Sequence, residues 1–379
     1  MHTTSDRPEE LPRRRARPGA IALLIAALAL LASACGIQED AAPSGRVPTP
    51  RSEKGIWLSQ AEIAALPTSG PAWDDVVEAA SGSLGSPNIA DQDSDHDVRT
   101  LAAALVAART GDRAAKQKAV SALSGAIGTE RGGRTLAAGR NLQAYVIAAD
   151  VLDLQAADPA VGNRFRDWLR AVRTTNLDGN TLVETSNKRP NNWGTHATAS
   201  LTAVAAYLND RAELDRLSKV FRGWTGDRRA YAGFDFGDLA WQANPAAPVG
   251  VNPAGATLAG HAVGGALPEE MRRGGGVQWP PSGTGYPWGA LNGAVVTAEL
   301  LSRQGYDAWG WGNQALERAV RFLDGLNRQF GGWGPANDDE WVLPLVNARY
   351  GTKFAAPASV GLGKNMGFTN WTHGASSPG

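Results

Sequence analysis

Val106-Ala107-Ala108-Arg109-Thr110-Gly111-Asp112-Arg113-Ala114 lines up with Val204-Ala205-Ala206-Tyr207-Leu208-Asn209-Asp210-Arg211-Ala212, and this pairing decides the fold. In each copy an apolar helical run ends at Gly or Asn, the residues that accept the left-handed conformation closing a helix. An Asp follows where a side-chain oxygen caps the next helix, and a second helix begins. Each copy is therefore an αα-hairpin with a very short turn. Two other pairs fit the unit more loosely: Leu142 to Leu154 with Val161 to Val172, and Leu291 to Leu301 with Ala315 to Leu326 across the loop 304–313. No stretch shows sustained strand alternation bounded by turn residues. Stacked helical hairpins give an open solenoid or a closed α/α toroid. Residues 224–290 form a long segment rich in Gly, Pro and aromatics, and long irregular loops in a compact domain are usually functional. The expectation is an all-α chain: an incomplete (α/α) toroid of antiparallel hairpins with long loops over one mouth.

Composition sets limits on the rest. In 379 residues, 43% are hydrophobic and 20% charged, which describes a folded chain with ample core material. Lys plus Arg and Asp plus Glu number 37 each, so no face-sized basic excess exists and no nucleic-acid partner is expected. Trp is over-represented, at 13 against 8 Phe and 6 Tyr. Large amphipathic rings suit stacking on sugar faces, and they also suit large cores.

The N-terminus carries an export pattern. Arg13, Arg14, Arg15 and Arg17 precede an apolar run from Gly19 to Ala34 that ends in small residues. The run meets Cys35, the only cysteine, in Ala32-Ser33-Ala34-Cys35, which resembles a lipoprotein box. Residues 1–34 are therefore expected to be a lipoprotein signal peptide, and Cys35 the lipid attachment site. Residues 35–54, with Pro43, Pro48 and Pro50, read as a flexible tether, and residues 55–379 as one domain. The protein is expected to be exported and lipid-anchored at the cell surface or in the periplasm. It would meet a membrane only through that anchor, act as a monomer, and hold no disulfide.

Chemistry concentrates in Pro190-Asn191-Asn192-Trp193-Gly194-Thr195-His196, ahead of the apolar run Ala197 to Leu208. Two carboxamides, an indole and an imidazole at a helix N-terminus can grip a polar substrate, and the free N–H groups there favour an anion. The plainer reading is that Asn192 or Thr195 caps the helix and Trp193 packs beneath it. The mature chain has only His96, His196, His261 and His373, at no metal-ligand spacing, so no metal is expected. Asp91-Gln92-Asp93-Ser94-Asp95-His96-Asp97 lacks the central Gly and terminal Glu of a calcium loop and reads as a capped helix start. No nucleophile elbow and no phosphate loop is present.

What remains is Asn191, Asn192, His196, Arg273 and Tyr286. Arg273 ends the turn Leu267-Pro268-Glu269-Glu270-Met271-Arg272-Arg273-Gly274, and Tyr286 opens the helix after Gly285. This set suits β-elimination in a uronic-acid polymer. The C5 proton, α to a carboxylate, leaves readily only when hydrogen-bond donors or cations neutralise that carboxylate, as Asn amides and an Arg fork would. A base takes the proton and an acid protonates the departing glycosidic oxygen. Tyrosine, with an ordinary pKa of about 10, needs a nearby cation to act as the base, and Arg273 is at hand. His196 is the candidate second acid/base group. No cofactor is required.

At these residues the chain resembles the alginate lyases with an incomplete α/α toroid, over most of residues 55–379. The resemblance includes Trp57-Leu58-Ser59 with Leu66-Pro67 and Ala72-Trp73, His96-Asp97-Val98-Arg99-Thr100-Leu101, Asn191-Asn192, Leu267 to Gly274 followed by Tyr286, and Trp341 with Pro344. It implies that Asn192 and Arg273 neutralise the substrate carboxylate and that Tyr286 is the acid/base. It also implies an acidic polysaccharide as the partner. Asn191, Trp193, His96, Trp279, Trp288 and Trp341 are the candidate substrate contacts. The chain departs from its relatives in placing Trp193 where many have His. His196, three positions on, either replaces that imidazole or is a satisfied capping residue. The spacer before Tyr286 is also longer, with Gly274-Gly275-Gly276 and Trp279-Pro280-Pro281 inserted. Two other classes stay open: a catalytically silent carbohydrate-binding lipoprotein, and a toroidal glycoside hydrolase using two of Asp235, Asp238, Asp338, Asp339 and Glu340.

Overall fold

The two hairpins of the repeat are capped as their sequences require. Helix α1 (Gln60–Ala65) and α2 (Pro71–Ser81) lead into the first hairpin, α3 (His96–Thr110) and α4 (Arg113–Ala126). Gly111 closes α3 at φ 75°, and the Asp112 carboxylate accepts the N–H groups of Ala114 and Ala115 to start α4. Then come α5 (Thr135–Val151), α6 (Leu154–Ala157), α7 (Pro159–Val172) and α8 (Leu182–Lys188). The second hairpin pairs α9 (Asn192–Leu208) with α10 (Arg211–Trp224), closed by Asn209 at φ 57° and opened by the Asp210 side chain. A long connection follows, whose only regular element is a two-stranded antiparallel ribbon, β1 (Thr257–Leu258) with β2 (His261–Ala262). The chain ends with α11 (Pro268–Met271), α12 (Tyr286–Arg303), α13 (Trp311–Phe330), α14 (Val342–Tyr350) and α15 (Thr369–Thr372). The structure, a computed structural model, describes residues 53–374, all within one compact unit spanning Pro48–Gly379. The residues read as a signal peptide, Cys35 and nearly all of those read as a tether lie outside the described residues. The all-α expectation holds: fifteen helices and the single small ribbon lie among the described residues.

Two kinds of helix build two layers. Helices α3, α5, α9 and α12 are buried over most of their surface, and neighbours pack in that order. Their sequences are mostly apolar or small, as burial on most faces demands, with a few buried polar residues such as Asn141, Gln143 and Glu299 among them. The outer helices carry one apolar stripe each. In α7 it is Val161, Phe165, Trp168, Leu169 and Val172; in α10 it is Leu214, Leu217, Phe221 and Trp224. Helix α4 packs on α3, α10 on α9 and α13 on α12.

The inner helices share one direction. Near the end of α3, Arg109 donates from Nε to the Leu66 carbonyl at 2.7 Å, just past α1. At the end of α5, Val151 accepts from Gln60 of α1 at 2.8 Å, and Arg303 at the end of α12 pairs with Glu62 of α1 at 2.8 Å. Helix α9 runs alongside α12 with Asn192 beside Gly289 and Thr195 beside Gly293. All four N-termini therefore open at the end away from α1.

Two bare glycines let the neighbours close on the first turns of α9. A Cβ on Gly139 of α5 would fall 2.9 Å from the Ala197 nitrogen, and one on Gly293 of α12 would fall 2.4 Å from the Thr195 carbonyl carbon. Neither position has room for a side chain. Much of the Trp excess goes to the core, since Trp57, Trp241, Trp341 and Trp371 are almost wholly buried.

Candidate active site

The cap of α9 is Asn191, whose side chain accepts the Trp193 N–H at 3.2 Å. The sequence had offered Asn192 or Thr195 for that task; with Asn191 taking it, the Asn192 carboxamide is left free. The Asn192 backbone N–H, one of the unpaired donors of the first turn, is held by Glu270 Oε1. Its side-chain Oδ1 is buried with no hydrogen-bond partner, and Nδ2 lies 3.7 Å from where a Cβ on Gly289 would stand. Trp193 is half-buried beneath the Arg189 guanidinium, 4.9 Å from the ring centroid.

Glu270, on α11, ties the Asn192 backbone to the next loop. Its side chain is buried and Oε2 has no partner. Burial pushes its carboxyl up to about 8, against the opposing pull of the Asn192 N–H and Arg273. Of the two arginines that follow, Arg272 is tied to Glu269 with Nε at 2.8 Å. Arg273 instead lies over Tyr286, its Cζ 3.5 Å from the ring centroid. Tyr286 is the first residue of α12 and is 41% exposed. Gly289, which faces Asn192, is three residues further along the same helix, so one helical turn separates the Tyr286 backbone from the carboxamide. Asn192, Glu270 and Tyr286 therefore come together from three helices, with Arg273 on the turn that follows α11.

His196 lies one turn below Asn192 on α9 and is 1% exposed. Its Nδ1 is 3.5 Å from Gln143 Nε2 of α5, and its ring is hydrogen-bonded to the Gly289 backbone. Burial, then the charges of Arg140 and Lys364, hold the imidazole neutral, well below its ordinary pKa. Both readings of the sequence are corrected here. His196 is not a cap, and it presents no nitrogen to a groove where it could serve as the second acid/base group.

Two of the hydrolase candidates, Asp338 and Asp339, sit in a second polar cluster. Asn292, one turn below Gly289, donates from Nδ2 to Asp339 at 2.6 Å, and its own Oδ1 is buried without a partner. Burial pushes Asp339 up to about 6. Arg140 of α5 pairs with Asp338 at 3.2 Å. Each carboxylate is thus engaged by a neighbour, and the two form no free pair across a groove.

Three of the six candidate substrate contacts are corrected. Trp341 is fully buried, and Trp288 is buried with Nε1 donating to the Trp333 carbonyl at 2.8 Å, so both are core residues. His96 is buried too, its Nδ1 2.7 Å from the Tyr145 hydroxyl, and burial lowers its pKa. Trp279 is half-buried, stacked on His261 at 4.4 Å with Phe330 at its edge. Among the described residues no group of three or more His, Cys, Asp or Glu could hold a metal ion.

Glu270, Asn292 and Arg140 were given no role in the sequence reading, and Asp339 entered it only as one of five hydrolase candidates. The one signal for Glu270 was an acidic pair spaced three residues from an arginine pair, which on a short turn equally describes a solvated surface.

A buried polar floor beneath an arginine–tyrosine pair, at the N-terminal mouth of an all-α fold, is the setting for the comparison with known families. Residues 135–233, spanning α5 to α10, match the family model described as alginate lyase. That match, over about a quarter of the chain, supports an alginate lyase family assignment. It covers Asn191, Asn192 and His196; Arg273 and Tyr286 lie beyond it. No curated protein matches the chain.

Proposed function

We propose that this protein cleaves an alginate-like, uronate-containing polysaccharide by β-elimination and releases unsaturated oligosaccharides. The observation that carries the reading is Arg273 stacked 3.5 Å over Tyr286, with Asn192 joined to both through Glu270 and Gly289. The parallel N-termini of α3, α5, α9 and α12 support it, because their partial positive charge favours a polyanion at that mouth. On this reading the two helical layers are the incomplete α/α toroid, and the connection between α10 and α12 forms the loops over the mouth.

The uronate carboxylate is bound by Asn192 Nδ2 and the Arg273 fork, which withdraws charge from it and acidifies the C5 proton. Tyr286 Oη takes that proton, and the carboxylate holds the developing negative charge between the same donors. As the C4–O bond breaks, its electrons leave with the glycosidic oxygen. The pair left at C5 forms the C4=C5 double bond, and Tyr286 returns its proton to the departing oxygen. The atoms balance without water, metal or cofactor. With His196 buried, Tyr286 serves as both base and acid, so the C5 proton and the leaving oxygen must lie on one face of the ring: a syn elimination. Asn191, Trp193 and Trp279 are the substrate contacts that keep some exposure. The protein is exported, anchored through lipid on Cys35, and works as a monomer on an acidic polysaccharide.

The test is to incubate the protein with a panel of polyuronates and follow ultraviolet absorbance of the unsaturated product. The reading expects absorbance to rise on at least one uronate. Sugar binding with no rise on any uronate contradicts it and favours a silent binder.

A further inference from the structure

Glu270 is the buried titratable group that the elimination leaves without a task. Its Oε1 accepts the Asn192 N–H, while its Oε2 is buried with no partner. Asn192 Oδ1, on the residue to which Glu270 is already bonded, is a second buried acceptor without a donor. Buried polar groups left unpaired are costly, and two acceptors cannot satisfy one another. A single proton on Oε2 removes the conflict, because it turns one acceptor into a donor for the other.

We propose that Glu270 is a positioning residue that works in its protonated form, donating from Oε2 to Asn192 Oδ1 and so turning Asn192 Nδ2 toward the substrate. The proposal rests on the lyase reading of this site. An amide can be flipped with little change in shape, and only the orientation with its N–H groups outward can bind a carboxylate. Neutral Glu270 selects that orientation. Ionised Glu270 selects the reverse, drawing the amide N–H groups inward and adding a negative charge beneath the substrate's own.

The surroundings favour the neutral acid. The charged groups that act on Glu270 are Arg273, Glu269 and Arg272 on its own turn, and from α9 it meets only the uncharged Asn192 N–H. Arg272 is spent on Glu269, and Arg273 lies over Tyr286. Glu270 makes no ion pair among the described residues, and its carboxyl, pushed up to about 8, keeps its proton at neutrality.

The experiment compares wild type, Glu270→Ala and Glu270→Gln on the polyuronate that gives the absorbance rise. Glu270→Ala leaves the Asn192 N–H and Oδ1 without partners and is expected to lower kcat by about tenfold or more. Glu270→Gln, which keeps an acceptor and a permanent donor, is expected to rescue most of that loss near neutrality. The ratio of kcat/KM for Glu270→Gln over wild type should then climb as pH rises through about 8, because only wild type can ionise there. Thermal melts give a reading independent of catalysis. A folded-state pKa raised above the unfolded value makes wild type lose stability as pH rises from about 4.5 to about 8. The Glu270→Gln melting temperature should gain on wild type over that window. A glutamine variant as impaired as alanine, or a pH-independent ratio, overturns the proposal while the lyase reading stands. Wild type inactive on every uronate overturns the lyase reading, and this role with it.

Discussion

His196 and Tyr286 each stand about one helical turn from the Asn192 carboxamide, and their surroundings are opposite. His196 is sealed between α5 and α12, neutral, with its ring committed to Gly289 and Gln143. Tyr286 stands at the open end of α12 with only Arg273 laid across it. By residue type the imidazole is the better acid/base at neutral pH. The structure assigns it to the floor and leaves the phenol at the surface. In the proposed elimination, access to the substrate rather than intrinsic pKa separates the group that transfers the proton from the group that supports it.

That contrast can be broken first at Tyr286. Tyr286→Phe removes the only hydroxyl in the proton path, and kcat should fall by at least about a hundredfold. Its melting temperature should match wild type, because the ring and its Arg273 contact remain. Steady-state kinetics and a thermal melt on the same sample check both halves. Arg273→Ala comes next, with an expected loss of about a hundredfold in kcat/KM from removal of a charge-stabilising donor. Arg273→Lys should recover little of it, since an ammonium cannot fork onto a carboxylate or lie flat on the ring.

The floor should answer in stability instead. Gly293→Ala pushes a methyl into the Thr195 backbone and should cost about 1–3 kcal/mol in denaturant unfolding. Activity should follow only as far as the α9–α12 contact shifts. The smallest effect concerns acid. His196 is held below its ordinary pKa and His373 is pushed down to about 4, burial being the first cause in both. The unfolded chain takes up these protons at about pH 6.5 and the folded protein resists them. Stability is therefore present above that pH and lost as pH falls toward about 4, which a series of melts would show.

The fold was legible where its determinants are local. Gly111-Asp112 and Asn209-Asp210 end one helix and cap the next with their own atoms, so a repeat of those pairs announces the hairpin. Asn192, Arg273 and Tyr286 stood out in the sequence as residue types, a carboxamide and a phenol at helix starts with a guanidinium closing the turn between them. Burial was not legible. Trp288 and Trp341 have the same indole as a sugar platform and are core only because other helices cover them. Glu270 reads as a surface acid until the chain brings it to a backbone N–H 78 residues away. The same limit applied to His196, whose place depends on the bare Gly139 and Gly293 on either side of α9.

In the proposed elimination the proton moves through the exposed phenol and not the buried imidazole. The direct measurement is kcat for Tyr286→Phe and His196→Gln side by side, on one polyuronate, with the melting temperature of each. Tyr286→Phe should lose at least about a hundredfold with its melt unchanged. His196→Gln should lose far less in kcat and show its damage in the melt. A His196→Gln protein that melts like wild type yet loses as much turnover as Tyr286→Phe would contradict the account.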